Sequence, residues 1–217
     1  RSRRGGREIE ILMGIDDPHI IKIFDYGATA ARQPFAVYPL MENSTLEDLL
    51  VKNKEHAAVF GREKASRYIL QLLEGLRSLH SRHVVHRDLK PANIFSSQAD
   101  DQDMLIIADF DLAKDLFGEV TSAHTRSATN VMKTATPVFG TDAYRAPDFL
   151  LFSNLVKAGI IKDRDTIERW LVQNDIYAIG CIFYEMLTNA SPVKINNHQD
   201  YFNYSINPYD ADNKTAI

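Results

Sequence analysis

The residues His86-Arg87-Asp88-Leu89-Lys90-Pro91-Ala92-Asn93 put a carboxylate, an ammonium and a carboxamide within six positions of one proline-containing loop. An isolated loop aspartate is usually a solvated turn residue. This one belongs to an ordered series. Before it, Tyr68, Ile69, Leu72, Leu73, Leu76 and Leu79 recur on one stripe between Glu63 and Arg82, which predicts an amphipathic helix. After it, Leu105-Ile106-Ile107-Ala108 reads as a short apolar strand that delivers Asp109-Phe110-Asp111, sixteen residues beyond Asn93. Residues 115–139 then lose periodicity and fill with Ser and Thr, predicting a loop, and Gly140-Thr141-Asp142-Ala143-Tyr144-Arg145-Ala146-Pro147-Asp148 closes it.

The remaining pattern predicts a small strand-containing part followed by a larger helical part. Ile9, Leu12 and Met13 recur at helical spacing until Asp16-Asp17-Pro18 stops them. Ile20 to Tyr26 and Phe35 to Leu40 read as adjacent strands. From about Thr45 the pattern is helical. Between Ser153 and Gln173 sits a second helical stretch, with Ile167, Trp170 and Leu171 on one side and Asp165 or Thr166 as its cap. Ile176 to Leu187 is apolar nearly all round, as a helix buried in mid-domain would be.

Composition removes several alternatives. With 25 Lys+Arg against 29 Asp+Glu the net charge is −4, which lacks the basic field of a nucleic-acid or membrane-surface binder. Cys181 is the single cysteine, which excludes a disulfide framework and fits a reducing compartment. No apolar stretch approaches the roughly 18 residues of a membrane span. The expected setting is intracellular and cytoplasmic. The chain starts at Arg1 rather than Met, so it is read as a piece of something larger.

The three ordered blocks resemble the signature set of a eukaryotic-type serine/threonine protein kinase catalytic domain. Lys90 together with Thr141 is similar to the serine/threonine-specific version. The resemblance implies an α+β, two-lobed fold: residues 1–41 as the remnant of the N-lobe (bridging helix, two strands, hinge) and 42–217 as the C-lobe, truncated after the central helix. It also implies ATP and Mg²⁺ as cofactors, and protein substrates and an upstream kinase as partners.

The chemistry asks for these residue types on its own terms, because phosphoryl transfer needs positioning and charge neutralisation more than covalent help. Asp88 is the candidate to accept a substrate hydroxyl's hydrogen bond and take its proton. Lys90 is placed to set its ammonium against the transferring group. Asn93 and Asp109 offer hard oxygen ligands suited to Mg²⁺ on nucleotide phosphates.

Further roles are implied by the resemblance alone. His86 stacks below Phe110 in a column continued by Leu12 and Ile23. Ile94 and Phe95 lie under the adenine, with Leu46, Ile182 and Met186 continuing that second column. Tyr38-Pro39-Leu40-Met41 matches the hinge, with Tyr38 as gatekeeper, Pro39 offering its carbonyl and Met41 its backbone donor and acceptor. Glu8 matches the helix glutamate that pairs with the ATP-binding lysine. Asp175 matches a buried aspartate that opens the central helix and binds the catalytic-loop backbone, and a helix N-terminus favours a carboxylate independently. Arg87 matches an arginine neutralised by an activation-loop phosphate. Thr121, Ser122, Thr125, Ser127, Thr129, Thr134 and Thr136 are candidates for it, and Thr136, followed by Pro137, is the one expected to be modified.

Three features depart from the pattern. Arg1 to Arg7 hold neither a glycine-rich loop nor a lysine to partner Glu8. Asp111 stands where the family has glycine, which permits backbone angles other residues resist. Asp148 stands where the family has a glutamate paired with an arginine from a late helix, beyond what this chain contains. A pseudokinase or scaffold using the large lobe as a binding platform is therefore the alternative reading, with a small-molecule kinase of related fold a weaker third. Retention of Asp88, Lys90, Asn93 and Asp109 together favours the enzyme, since a scaffold has no chemical use for all four.

Overall fold

The computed structural model describes residues 12–30, 34–41, 44–99, 102–110, 114–115 and 141–193. Strands β1 (Asp25–Ala28) and β2 (Pro34–Val37) form an antiparallel ladder with Asp25 opposite Val37. Two helices follow, α1 (Leu46–Glu55) and α2 (Arg62–His80). Then come β3 (Val84–Val85), a 3₁₀ turn (Pro91–Asn93), β4 (Ile94–Ala99), β5 (Gln102–Ile107) and β6 (Lys114–Asp115). A second 3₁₀ turn (Thr141–Tyr144) leads to α3 (Phe149–Lys157) and α4 (Arg164–Thr188). Among the described residues no helix is long and apolar enough to cross a membrane.

Local chemistry accounts for the helix starts. Thr45 caps α1 in a reciprocal box: its hydroxyl accepts from Asp48 N at 3.2 Å, and Asp48 Oδ2 accepts from Thr45 N at 2.8 Å. The Thr45 hydrogen bonds hold the Asp48 carboxyl below its ordinary range. The stripe predicted on α2 is its buried face: Tyr68, Leu72, Leu76 and Leu79 are buried, with Ile69 and Leu73 partly so. That face packs on α4 and β5. Gly75 belongs to it for a steric reason, since a Cβ there would sit 3.1 Å from the His19 carbonyl oxygen and 3.2 Å from Ile107 Cδ1.

The structure departs from sequence expectation in three places. The run Ile20–Tyr26 is not one strand. Only its end enters β1, while Ile20, Ile21 and Ile23 are buried against the larger body. Ile21 N donates to Ile107 O and Ile107 N to His19 O, both at 2.9 Å. Asp17 accepts from Ser78 on α2, and the His19 ring donates from Nδ1 to Leu105 O at 3.0 Å. Pairing with β5 thus outcompetes extension of the two-stranded ladder, because it buries three isoleucines.

Second, the helix expected between Ser153 and Gln173 is not separate from the central one. That stretch is divided between α3 and the first turns of α4, which runs unbroken for 25 residues. The cap is Asp163, whose Oδ2 accepts from Thr166 N at 2.9 Å; Asp165 and Thr166 lie inside the helix. Third, Asp175 therefore does not open the central helix but lies in mid-helix, so no N-terminal dipole stabilises it.

Candidate active site

The loop His86–Asn93 is gripped from behind by α4. Asp175, 1% exposed, accepts His86 N at 2.9 Å and His80 Nε2 at 2.8 Å on Oδ2, and Arg87 N at 2.9 Å on Oδ1. Burial alone would push this carboxyl's pKa up. The His80 hydrogen bond and the loop N–H outweigh burial and hold it below the ordinary carboxylate range. Arg87 adopts a left-handed backbone, φ 70°, which both the grip and the sharp turn into Asp88 sustain.

His86 is fully buried and anchors the loop sideways. Its Nε2 donates to Ala108 O at 2.9 Å, which leaves Nδ1 as the acceptor facing Asp88 N at 3.4 Å. The ring meets Phe110 at 5.1 Å between centroids, and Phe110 shares its buried cluster with Leu12 and Ile23. Of the column expected from the sequence, the His86–Phe110 contact is present.

On the open side, the Asp88 carboxylate is half engaged. Oδ2 accepts from Lys90 Nζ at 2.9 Å and from Asn93 Nδ2 at 3.2 Å, and Asn93 Nδ2 also donates to Asp88 O at 2.8 Å. Oδ1 is buried and has no hydrogen-bond partner among the described residues. Because Asn93 spends its amide nitrogen on Asp88, its oxygen lies on the opposite branch of the side chain. Ala108 N donates to Asn93 O at 2.9 Å, which brings the end of β5 and Asp109 beside this turn. Asp109 is exposed, with φ 62°. Two protein oxygens of this kind fit Mg²⁺, which takes one or two carboxylate-type ligands and completes its shell with phosphate oxygens and water.

The expected adenine floor is apolar. Ile94, Leu46, Ile182 and Met186 are fully buried, and Phe95 and Met41 pack on the same cluster half-buried. Ser96 N donates to Ser44 O at 2.9 Å, joining the chain just after Met41 to β4. Pro39 is half-buried and Tyr38 exposed. Glu8, Asp111 and Thr136, with the other Ser and Thr candidates from Thr121 to Thr134, lie outside the described residues. Thr141 starts the second 3₁₀ turn.

Sequence reasoning missed several groups here. The Asp148–Trp170 bond is one: Asp148 Oδ2 accepts the indole N–H of Trp170 at 3.0 Å. His80 carried no signal beyond its place on the last turn of α2. A cleft beside Pro91 is lined by Glu47, Lys54, Tyr144 and Glu185. There Tyr144 OH donates to Glu185 Oε2 at 2.6 Å, and burial raises the pKa of both groups. A lone glutamate inside the apolar run Ile176–Leu187 was the available signal for Glu185.

Comparison with known proteins places this geometry. The family model described as "Protein kinase domain" matches residues 2–214. Mitogen-activated protein kinase 4a of Physcomitrium patens is 31% identical over 194 residues, which cover 88% of this chain and 42% of that protein. Serine/threonine-protein kinase bur1 of Emericella nidulans is 29% identical over 198 residues, covering 88% and 32%. Calcium/calmodulin-dependent protein kinase cmkA of the same organism is 28% identical over 193 residues, covering 89% and 39%. The chain spans less than half the length of each of these relatives.

Proposed function

The chain belongs to the protein kinase domain family, and on that premise we propose that it transfers the γ-phosphoryl group of ATP to Ser or Thr hydroxyls of protein substrates. The observation that carries this reading is the divided Asp88 carboxylate. One oxygen is fixed by Lys90 and Asn93, and the other is buried beside them with no donor among the described residues. A buried acceptor without a donor is costly, and it is tolerated where a substrate supplies the donor.

The substrate hydroxyl would donate to Asp88 Oδ1. As its oxygen bonds to the γ-phosphorus, the bond from that phosphorus to ADP breaks and the hydroxyl proton passes to Asp88. Lys90 holds Asp88 in place and sets positive charge near the transferring group. Asn93 and Asp109 are the residues to hold Mg²⁺, which when bound neutralises phosphate charge. Met41 and Pro39 would receive the adenine edge above Phe95. Lys90 two places after Asp88, Thr141 and the names of the relatives support serine/threonine over tyrosine specificity. We further propose that an upstream kinase phosphorylates Thr136 and that Arg87 receives the phosphate.

The test is incorporation of labelled phosphate into a Ser/Thr peptide library with Mg-ATP, wild type against Asp88→Asn. Loss in the variant is expected. Equal incorporation by both would remove Asp88 from its role, and no incorporation by a folded wild type would leave the scaffold reading.

A further inference from the structure

The first half of α4 brings Ile167, Trp170 and Leu171 into a second buried cluster with Val85 and Val156, and Trp170 adds a polar contact that packing alone does not need. Trp170 is 7% exposed, stacks on Phe152 (centroids 4.1 Å apart, planes at 10°) and meets Phe149 at 5.2 Å. Its ring is thereby fixed, and the indole N–H, a donor only, ends on the Asp148 carboxylate at 3.0 Å. One turn later Asn174 donates from Nδ2 to Trp170 O at 3.0 Å and accepts from Ala146 N on Oδ1 at 3.4 Å. Between these two attachments the Arg145 guanidinium lies over the Phe149 ring at 5.1 Å. The next α4 residue is Asp175, which grips the catalytic loop.

We infer that Trp170 is a positioning residue for the protein substrate: its indole N–H on Asp148 holds the segment from Thr141 to Asp148 at a fixed height against Asp88. The inference rests on the phosphoryl-transfer reading and takes this segment, whose Tyr144 and Arg145 line one pocket with Asp88, as the surface that receives the substrate peptide. One helix holds both segment and loop, so the separation between docked peptide and Asp88 is set by neighbouring turns of α4. A merely packed Trp would need only its rings. The charged acceptor makes the N–H bond directional and stronger than a neutral one.

The discriminating variant is Trp170→Phe, which keeps an aromatic ring against Phe152 and deletes the donor. The full chain is assayed with a Ser/Thr peptide and Mg-ATP. The peptide KM is expected to rise about fivefold while the ATP KM stays within about twofold, the size of one hydrogen bond to a half-exposed carboxylate. Asp148→Ala should reproduce that rise, the double variant should add nothing further, and Asp148→Asn, whose amide oxygen can still accept, should recover most of the affinity. An unchanged peptide KM in Trp170→Phe overturns the inference. Should the wild type transfer nothing, the phosphoryl-transfer reading fails, and the placement is read from amide hydrogen exchange at Arg145, Ala146 and Asp148. Exchange about tenfold faster in Trp170→Phe than in wild type sustains the positioning role; equal exchange overturns it.

Discussion

Two aspartates touch the same loop from opposite sides and are treated in opposite ways. Asp175, behind, is 1% exposed and both its oxygens are taken by donors from His80 and the loop backbone. Asp88, in front, has one oxygen fixed and the other buried without a donor among the described residues. The saturated carboxylate sets shape, and the unsaturated one is prepared to act. A buried polar group left incomplete lowers stability, so its place in the molecule marks where a ligand completes it.

The widest test of that contrast is to remove each acid in turn. Asp88→Asn is expected to lower phosphate transfer by about 10²–10⁴-fold, the usual share of a general base, and to leave the urea midpoint of unfolding nearly unchanged. A large loss of stability would erase the distinction. Asp175→Ala should instead cost about 3–5 kcal/mol in urea unfolding, because buried donors lose their only charged acceptor. Its acid limb should also flatten. The Asp175 carboxyl is held below its ordinary value, so its contribution is fully present above the unfolded pKa of about 4 and is lost as pH falls through the lower folded value. A variant with the wild type's acid sensitivity would contradict this.

Partners of the two acids should divide the same way on a smaller scale. Lys90→Met is expected to reduce transfer at least about tenfold while changing stability by less than about 1 kcal/mol, since that ion pair is part-exposed. His80→Ala should cost about 1–3 kcal/mol of stability, and the transfer rate per folded molecule should fall less than in Lys90→Met. Thr45→Ala, remote from both acids, sets the baseline: about 1 kcal/mol from the lost cap, read as a lower thermal midpoint with kinetics unchanged.

What could be read from the chain followed its local chemistry. The α2 stripe was legible because one face of nineteen residues is buried, and the His86–Asn93 loop because its groups are adjacent in sequence. β4 was not legible: Ser96 and Ser97 interrupt its apolar pattern, and its partner strand is what makes it a strand. The break in Ile20–Tyr26 depends on Ile107, which no local pattern announces. The start of α4 was misplaced because its polar first turns resemble a separate amphipathic helix, whereas they run unbroken into the apolar half and Trp170 packs them on Phe152 of α3. Likewise Asp88 was evident as a candidate, whereas its divided hydrogen bonding appears only when Lys90 and Asn93 are placed in space.

At 25 residues α4 is about 37 Å long, and it carries Trp170, Asp175 and Glu185 in order. Parts fastened to one another in series accumulate error at every joint. Parts fastened to a common datum do not, and here three sites are each measured off the same straight edge. The tolerances at this cleft are therefore set once, by how straight a single rod is.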